Sequence, residues 1–297
     1  MRVFVTGGTG LVGRRVVARL RERGDEVLVL SRSATGPGYV KGDPSVAGPW
    51  LDELKTCEGV IHLAGESIAG HRWSAKFKAK VLDSRVESTS LIANAVANPP
   101  TKVFVSASAV GFYGMYEDNP TEFVESDLPG SGYLADVCVA WEAATAPAVQ
   151  AGVRVAMIRV GMVLANDGGA LQQLAKPFRF YLGGPVATGR QWVSWIHVDD
   201  MAGLFVHALD RPEAIGPING TAPEPVTNWG FCRTLADVLH RPCWLRAPKF
   251  GLRLLMGEMA ELATHGQRVV PVRAKELAYE FRYPLLEPAL REALGRR

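Results

Sequence analysis

Cysteine is scarce in this chain of 297 residues, and long apolar runs are missing. The four cysteines are scattered without a Cys-x-x-Cys pair, which argues against a disulfide framework or a zinc site and is typical of a reducing compartment. No apolar run approaches the length of a bilayer span. The first residues also lack the pattern of a signal peptide. These absences set aside the membrane-spanning and small secreted classes, and we expect a cytoplasmic protein.

A large charge excess is missing as well. The chain has 33 basic and 30 acidic residues, for a net charge of +3, which is too small to predict nucleic-acid binding although it suits a small anionic ligand. No His-Glu-x-x-His motif or carboxylate cage is present, so we expect no metal. The absence of a Gly-x-Ser-x-Gly motif argues against a serine hydrolase. We therefore expect a small-molecule substrate and neither a nucleic-acid nor a membrane partner.

A glycine-rich turn follows the first apolar segment of the chain. Residues Arg2–Thr6 (RVFVT) predict a buried strand, and the next seven residues are Gly7, Gly8, Thr9, Gly10, Leu11, Val12 and Gly13. Gly10 lets the backbone approach a pyrophosphate, Gly13 lets the following helix pack on the sheet, and the helix N-terminus offers free N–H groups. The pattern predicts a dinucleotide-binding turn; the alternative is a purely structural glycine turn.

The end of the second predicted strand carries no acidic residue. An Asp or Glu there would bind the ribose 2′-hydroxyl of NAD and repel a 2′-phosphate. This chain has Ser31 and Arg32 instead, and an arginine makes a planar, charge-assisted contact to phosphate. We therefore predict NADP(H) as the cofactor. The alternative is that Arg32 is a solvated surface residue.

Strands and helices are predicted to alternate along the rest of the chain. Further strands are expected at 60–64, 102–108 and 153–159. Helices are expected at 83–96, with a start near Ser74 and an end at Pro99–Pro100, and at 134–149, with a break at Pro147. This alternation predicts an α/β fold with a Rossmann-type, doubly wound parallel sheet, whose ligands lie at the carboxyl ends of the strands.

The composition of the sequence changes after residue 165, where glycines become frequent. We predict that residues 1–165 form the NADP-binding Rossmann domain and that 190–240 complete it. Residues 166–189 and 241–297 are then a smaller C-terminal substrate lobe. Asp199 or Asp200 is predicted to cap a helix that runs to about Leu209.

Several motifs in order resemble a known family. The segments TGGTGLVG, LSRS, HLAGESI, SRVEST, SASAVGFYG, IRVGMVLANDGGAL and GGPVATGRQWVSWIHVDD resemble the short-chain dehydrogenase/reductase superfamily, and within it the extended, nucleotide-sugar-epimerase-like branch. The closest likeness is to the atypical "epimerase family" proteins with a distinct C-terminal domain. The resemblance implies a Rossmann domain, bound NADP(H) and a C-terminal substrate lobe. Because superfamily members are often dimers or tetramers, it also implies a homo-oligomer.

The resemblance assigns cofactor contacts to individual positions of this chain. A helix arginine, Arg85, matches one that faces the cofactor, although an exposed helix arginine is the alternative. Val160 and Gly161 match the segment beside the nicotinamide. The full set of implied cofactor residues is Gly7, Thr9, Gly10, Leu11, Val12, Gly13, Ser31, Arg32, Leu63, Ala64, Gly65, Arg85, Val160 and Gly161.

The catalytic motif of the superfamily is not present. In the superfamily a Tyr and a Lys four residues later transfer the proton, because the lysine lowers the tyrosine pKa. Here the two positions are Tyr133 and Val137 in one register, or Leu134 and Cys138 in the other, and neither register contains a lysine. The standard mechanism therefore cannot be assigned.

Other side chains are candidates for the missing roles. Ser108 and Tyr113 are the candidate catalytic groups, with packing beneath the cleft as the alternative for Tyr113. The candidate substrate-binding residues are Glu66, Arg190, Gln191, Trp192 and His197. A surface salt bridge is the alternative for Arg190, and a structural histidine is the alternative for His197.

The sequence as a whole predicts an NADP(H)-binding oxidoreductase or epimerase-like enzyme that acts on an unidentified carbonyl or sugar-like substrate. A non-catalytic NADP(H) sensor or binding module is the alternative, because the Tyr–Lys pair is missing.

Overall fold

The computed structural model describes residues 1–97 and 100–296. Within these residues the strands are β1 (Arg2–Thr6), β2 (Glu26–Ser31), β3 (Tyr39–Lys41), β4 (Gly59–His62), β5 (Val103–Ala109), β6 (Glu122–Phe123), β7 (Arg154–Val160), β8 (Met162–Leu164), β9 (Trp192–Val193), β10 (Trp195–His197), β11 (Gly216–Gly220), β12 (Val226–Thr227) and β13 (Arg268–Val269).

The helices of the same residues are α1 (Gly13–Glu22), α2 (Trp50–Leu54), α3 (Ala75–Val96), α4 (Tyr133–Ala143), α5 (Ala146–Gln150), α6 (Ala170–Arg179), α7 (Val198–Asp210), α8 (Asn228–Leu239), α9 (Lys249–Met256), α10 (Glu261–Thr264), α11 (Val272–Glu276) and α12 (Leu286–Ala293). Single 3₁₀ turns lie at Val110–Tyr113 and Gly257–Ala260.

Seven parallel strands form the central sheet, in the order β11-β7-β5-β4-β1-β2-β3. One face packs against α1 and α7 through residues such as Val16, Leu20 and Phe205. The other face packs against α2 and α3 through Trp50 and Ile92. Because helices cover both faces, the central strands carry apolar runs such as Val3–Val5 and Val103–Val105, and polar residues such as Ser108 lie toward their carboxyl ends. The predicted Rossmann-type, doubly wound sheet is confirmed.

Local signals place most element boundaries within one or two residues. Ser74 begins α3, since its Oγ accepts a hydrogen bond from the N–H of Phe77 at 3.2 Å. The predicted helix over 134–149 is two helices, and Pro147 lies in the first turn of α5, where its missing N–H costs nothing. The predicted helix end at Pro99 lies outside the described residues.

The cap of α7 differs from the prediction. His197 is the N-cap residue, and its Nδ1 accepts from the N–H of Asp199 at 3.2 Å. Asp199 and Asp200 lie instead in the first turn, where a negative charge is favoured by the helix dipole. The Asp-rich sequence therefore marks the right helix end, but the capping atom belongs to the residue before it.

A second apolar cluster lies beside the central sheet and joins α6, α8 and α12 around Trp195, Phe231 and Leu290. Helix α8 belongs to this cluster, although we expected residues up to 240 to complete the Rossmann domain. Strand β11, from the same stretch, does lie in the central sheet. Helix packing thus divides residues 190–240 between the two cores. The domain division as a whole stays a prediction. No helix of the described residues combines the length and hydropathy needed to cross a bilayer.

Candidate functional site

The glycine turn connects the carboxyl end of β1 to α1. Gly7 has φ 68°, a conformation that favours glycine, and its carbonyl accepts from the N–H of Gly10 at 3.0 Å. A Cβ on Gly13 would lie 2.1 Å from the Gly7 oxygen. The first helical turn therefore sits directly on the turn that precedes it, and a side chain at Gly13 is excluded.

Gly10 has a different environment. Among the described residues, a Cβ on Gly10 would contact only the Gly7 oxygen, at 3.2 Å. The space above Gly10 is therefore open to the cleft. No side chain among the described residues caps the N-terminus of α1. The N–H groups of Arg14 and Arg15 donate to the Gly10 and Val12 oxygens at 3.1 and 3.0 Å, which leaves those of residues 11–13 to bind phosphate oxygens. This cradle fits a dinucleotide pyrophosphate.

The adenosine end of the cleft is formed at the carboxyl end of β2. The Ser31 Oγ accepts hydrogen bonds from the N–H groups of Ser33 and Ala34, at 3.3 and 2.9 Å, and thereby shapes the loop. The Arg32 side chain is exposed and has no ion-pair partner among the described residues. Such a guanidinium is available to a phosphate.

The next strand carries the adjoining part of the cleft. The Leu63 N–H donates to the Thr6 oxygen at 3.1 Å, which holds the 63–65 loop beside the glycine turn. A Cβ on Gly65 would lie 3.5 Å from the Arg85 guanidinium carbon. Arg85 is held by a hydrogen bond to the Val81 oxygen at 3.0 Å and lies 5.0 Å from the centroid of the Trp141 ring. Burial lowers its pKa, but an arginine remains charged at neutral pH.

A cavity of about 430 Å³ extends from this cleft toward the C-terminal segments. Its cleft side includes Leu11, Arg85, Val160 and Gly161, all of them predicted cofactor residues. Its far side includes residues from the loops after α6 and α10. The wall is mostly apolar, with contributions from Leu134, Val137, Cys138, Trp141, Met162, Leu174, Trp192, Phe231 and Leu262. Because a single space joins the glycine turn to this apolar chamber, a ligand there lies next to the predicted cofactor.

Of the two registers considered for helix α4, the one with Leu134 and Cys138 has both residues in the cavity wall. Leu134, Cys138 and Trp141 line the wall, as expected for residues one turn apart on a helix. Tyr133 points elsewhere, because its hydroxyl donates to the Lys78 oxygen at 2.9 Å and its ring packs against Trp73. Burial raises the pKa of the Cys138 thiol to about 12. The superfamily's Tyr and Lys positions are therefore occupied by Leu134 and a protonated thiol.

The two candidate catalytic groups lie beneath the cavity wall. The Ser108 Oγ donates to Glu142 Oε1 at 2.6 Å. The Tyr113 hydroxyl donates to Asn219 Oδ1 at 2.7 Å and accepts from Arg159 Nη1 at 2.8 Å. Both side chains are buried, and burial raises the pKa of Tyr113 to about 12. The structure places both in a polar core behind the wall rather than in the wall itself, and the catalytic role of Ser108 and Tyr113 stays a prediction.

A buried ion pair anchors this polar core. Arg159 donates from Nε and Nη2 to the two Glu142 oxygens, at 2.8 and 2.9 Å, while its guanidinium stacks 3.5 Å from the centroid of the Phe112 ring. The network ties the end of β7 to α4 and to the turn that contains Tyr113. It supports the cavity wall from behind.

The predicted substrate residues separate into two groups. Gln191 and Trp192 line the cavity, and the Gln191 amide is fixed because its Nε2 donates to the Val186 and Ala263 oxygens at 3.1 and 3.0 Å. Arg190 is exposed and pairs with Asp118 at 3.2 Å. Glu66 pairs with Lys80 at 3.0 Å. Neither Arg190 nor Glu66 belongs to the wall.

His197 is also outside the cavity. It is buried, its Nε2 lies 2.6 Å from Glu292 Oε2, and its ring packs 4.1 Å from that of Tyr283. Together with its capping bond to α7, these contacts make it a structural histidine, which corrects the expected substrate role.

Sequence reasoning missed the polar end of the cavity. Ser194, Asn228, His265 and Gln267 line it. The Gln267 Nε2 donates to the Val110 oxygen at 2.7 Å, and the Ser194 Oγ donates to the Gln267 oxygen at 2.6 Å. Ser194 lies within the GGPVATGRQWVSWIHVDD segment, but nothing in the sequence marks it as a lining residue, since only the fold brings 194, 228 and 265–267 together. Within the described residues no cluster of His, Cys, Asp or Glu is arranged to hold a metal ion.

The fold and the cleft define a Rossmann-type dinucleotide-binding protein with an attached apolar chamber. The chain belongs to the NAD dependent epimerase/dehydratase family, which matches residues 3–219. Residues 247–293 match a second family, described as a domain of unknown function, DUF1731. The predicted family resemblance is thus confirmed, including the distinct C-terminal segment.

Similar proteins come from plants and animals. The "Epimerase family protein SDR39U1 homolog, chloroplastic" of Arabidopsis thaliana is 44% identical over 302 residues, covering 98% of this chain and 86% of that protein. The human "Epimerase family protein SDR39U1" is 36% identical over 302 residues, covering 99% and 100%. A solved structure of that human protein (isoform2) with NADPH has a TM-score of 0.89 and 33% identity, and covers 100% of both chains.

A UDP-glucose 4-epimerase structure from Thermotoga maritima is more distant. It has a TM-score of 0.78 at 17% identity and covers 99% of this chain and 98% of that one. This likeness shows the shared fold alone.

Proposed function

We propose that the chain is an NADP(H)-dependent reductase for a largely apolar carbonyl compound. The observation that carries the proposal is the continuous space from the glycine turn into the apolar chamber of about 430 Å³. Its volume suits a small-molecule ligand, and its apolar wall favours a substrate with little polar surface.

NADP(H) is proposed over NAD(H) for two reasons. Arg32 and Ser31 stand where an acidic residue would repel a 2′-phosphate, and the similar human structure contains NADPH. When bound, NADP(H) supplies or accepts a hydride at nicotinamide C4. In this chain the Gly10 turn and the α1 N-terminus would hold the pyrophosphate, and Arg32 the 2′-phosphate.

Reduction is favoured over epimerisation because the wall offers no strong base. Among the described residues of the wall, the titratable side chains are Arg85, Cys138 and His265. Arg85 is permanently charged, and the buried Cys138 thiol stays protonated. Histidine is the side-chain type that exchanges protons near neutral pH. We therefore assign to His265 the delivery of the proton that a carbonyl oxygen needs when it becomes an alcohol.

Two contacts hold the His265 ring. Its Nδ1 lies 2.8 Å from the Thr264 Oγ1, and its Nε2 lies 3.4 Å from Glu117 Oε1. Glu117 lies outside the cavity wall. Its carboxylate is half exposed and also pairs with Lys249, so it links the imidazole to the protein surface.

The test uses NADPH deuterated at C4 and a panel of apolar carbonyl compounds, namely nonanal, acetophenone and cinnamaldehyde. We expect the alcohol product to carry deuterium, and we expect His265→Gln to lower kcat on the order of 10²-fold, the usual contribution of one general acid. Arg190→Ala, outside the wall, is the matched control and should keep its activity. Tight NADPH binding without deuterium transfer to any of the three compounds would contradict the reductase.

A non-catalytic NADP(H) sensor is the second candidate. It is favoured by Leu134 and Cys138, which occupy the superfamily's catalytic positions in the wall. A sensor predicts nucleotide binding that is insensitive to His265→Gln and no turnover, so the same experiment separates the two functions.

A further inference from the structure

Two neighbouring segments on the C-terminal side of the molecule carry an unusual charge distribution. Residues 176–182 and 241–256 contain six basic residues and no acidic residue. The remainder of the chain contains 27 basic and 30 acidic residues. The modest net charge of +3 therefore hides a strongly cationic region, and we refer to residues 176–182 and 241–256 as the basic face.

The two segments are joined in space. The N–H of Trp244 donates to the Gly183 oxygen at 3.1 Å, and the indole N–H of Trp244 donates to the Tyr181 oxygen at 3.0 Å. The Arg241 guanidinium lies 4.6 Å from the centroid of the Tyr181 ring. Val186 and Ala247 form a β-bridge further along. The basic face is thus one continuous surface rather than two separate patches.

Most cations of the basic face have no ion-pair partner among the residues that the structure describes. Within the described residues, Lys249 has an ion-pair partner, Glu117, whereas Lys176, Arg179, Arg241, Arg246 and Arg253 have none. Arg246 lies instead 5.3 Å from the centroid of the Trp229 ring. Unpaired cations at this density favour an anionic partner.

Large apolar side chains are interleaved with these cations. Phe180, Tyr181 and Trp244 are each more than half exposed. Helix α9 follows directly, and its Phe250, Leu254 and Leu255 are between 74% and 76% exposed. Helix α9 buries none of its residues, although a surface helix of a globular protein normally buries its apolar stripe. Exposed apolar side chains that cluster in this way mark an interaction site.

We propose that the basic face docks on an anionic lipid surface. A short amphipathic helix with Phe and Leu beside Lys and Arg lies in the plane of a membrane interface. Trp and Tyr prefer the same headgroup region, and the free cations match anionic headgroups. The expectation of no membrane partner rested on the missing apolar run, which gives no information on how the cations are distributed over the surface.

The basic face also borders the chamber. After α9 the chain turns once and enters α10, whose Leu262 and Ala263 line the cavity. Docking of the basic face would therefore place the α10 side of the apolar chamber next to the lipid surface. This inference does not depend on the proposed reaction, because lipid binding is measured without cofactor or carbonyl compound.

The test is flotation of the purified protein with vesicles of phosphatidylcholine alone or mixed with phosphatidylglycerol. We expect binding to the mixed vesicles, weaker binding to phosphatidylcholine, and loss of binding at high salt. The double variant Arg246→Gln/Arg253→Gln should weaken binding about 25-fold, because ~1 kcal/mol per cation near an anionic surface corresponds to about 5-fold each. The control Arg211→Gln/Lys55→Gln removes two exposed cations elsewhere and should leave binding unchanged.

The apolar contribution is tested separately. Phe250→Asp/Leu254→Asp should abolish flotation, whereas Leu128→Asp/Ile215→Asp, which alters two exposed apolar residues outside the face, should retain it. Because these side chains are exposed, every variant should keep the NADPH affinity of the unmodified protein. Equal binding to both vesicle types, or equal loss in face and control variants, would overturn the proposal. Retention by immobilised polyglutamate without flotation would also overturn it, in favour of an acidic protein partner.

Discussion

At the scale of single residues, the cleft separates glycines that the fold needs from glycines that the ligand needs. A Cβ on Gly13 collides with the Gly7 oxygen at 2.1 Å, whereas one on Gly10 meets the same oxygen only at 3.2 Å. The two positions look alike in the sequence. A substitution at Gly10 should nevertheless affect ligand binding, whereas one at Gly13 should affect the stability of the fold.

We expect Gly10→Val to fold normally and to weaken NADPH binding by about 100-fold or more, which corresponds to ~2.7 kcal/mol. Gly13→Ala should instead lower the free energy of unfolding by roughly 1–3 kcal/mol, the usual effect of overpacking. Titration of tryptophan fluorescence with NADPH and urea denaturation measure the two quantities. A Gly10→Val protein that binds NADPH normally would show that the turn does not hold the pyrophosphate.

In our proposal, Arg32 determines the preference of the protein for NADPH over NADH. Arg32→Asp removes a charge-assisted hydrogen bond, usually worth about 1.5–3 kcal/mol, and adds a charge that repels phosphate. The ratio of NADPH to NADH affinity should therefore fall at least about 10-fold. Isothermal titration with both nucleotides measures the ratio. Arg211→Asp, an exposed arginine at the end of α7, should leave it unchanged, and an unchanged ratio in Arg32→Asp would remove its assigned role.

His62 makes folding sensitive to acid. It is fully buried at the end of β4, between the hydroxyls of Thr6 and Ser88 at 2.6 and 3.2 Å, and burial lowers its pKa to about 3. The unfolded chain takes up this proton near pH ~6.5. Between about pH 6.5 and pH 3 the unfolded state therefore binds more protons, and stability falls as the pH falls.

The expected loss from His62 is up to ~1.4 kcal/mol per pH unit in that window. His62→Asn should flatten the slope of unfolding free energy against pH, measured by urea denaturation between pH 4.5 and 7. His240→Asn is the matched control, since His240 is exposed in a left-handed conformation that asparagine tolerates. If both variants keep the slope of the unmodified protein, His62 is not its source.

At the scale of elements, α4 shows how a family's catalytic helix is retained without its catalytic pair. Its cavity side is apolar, and its other side is tied to β7 by the Arg159–Glu142 pair and to β5 by the hydrogen bond from Ser108. Glu142 lies one turn beyond Cys138, so the same helix that lines the chamber carries the buried carboxylate. The helix position therefore depends on this ion pair.

Glu142→Gln should lower the free energy of unfolding by about 3–5 kcal/mol, because it leaves the buried Arg159 without a counter-charge. Asp136→Asn on the exposed side of α4 should change it by less than ~0.5 kcal/mol. Urea denaturation compares the two. A small effect of Glu142→Gln would mean that another group, such as Glu125, compensates Arg159.

The elements also show what sequence reasoning can reach. Runs such as Arg2–Thr6 and the glycine turn act locally, so strands, helix starts and the phosphate cradle were predictable. Ser108 and Tyr113 were expected in the cleft because their order along the chain suggested it. Whether a side chain at a strand end faces the cavity or the core depends on partners far away in sequence, such as Glu142 and Asn219, and no local pattern encodes them.

The same limit explains the polar end of the chamber. Ser194, Asn228 and Gln267 meet only because the chain between β9 and β10, the start of α8 and the segment before β13 converge, and no local pattern marks them as neighbours. His197 lies among them in sequence but caps α7 instead. Proximity in sequence therefore misplaced a structural residue in the site and left the lining residues unmarked.

At the scale of the whole molecule, the cleft lies between the central sheet and the second apolar cluster. The cavity wall takes Val160 from the first and Phe231 and Leu174 from the second. We therefore expect a nucleotide in the cleft to contact both cores, so that its binding free energy adds to the stability of the whole chain.

NADPH at 100 times its dissociation constant should stabilise the folded protein by about 2.7 kcal/mol. For a chain of this size that corresponds to an increase in Tm of roughly 5 °C. Differential scanning calorimetry should show both cores unfolding in one transition that moves with NADPH concentration. At the same NADPH concentration the Gly10→Val protein, with about 100-fold weaker binding, should be stabilised by no more than ~0.4 kcal/mol and its Tm should rise by less than about 1 °C. A transition that splits in two, with only one part moving, would mean that the nucleotide binds the Rossmann core alone and that the second cluster folds independently of it.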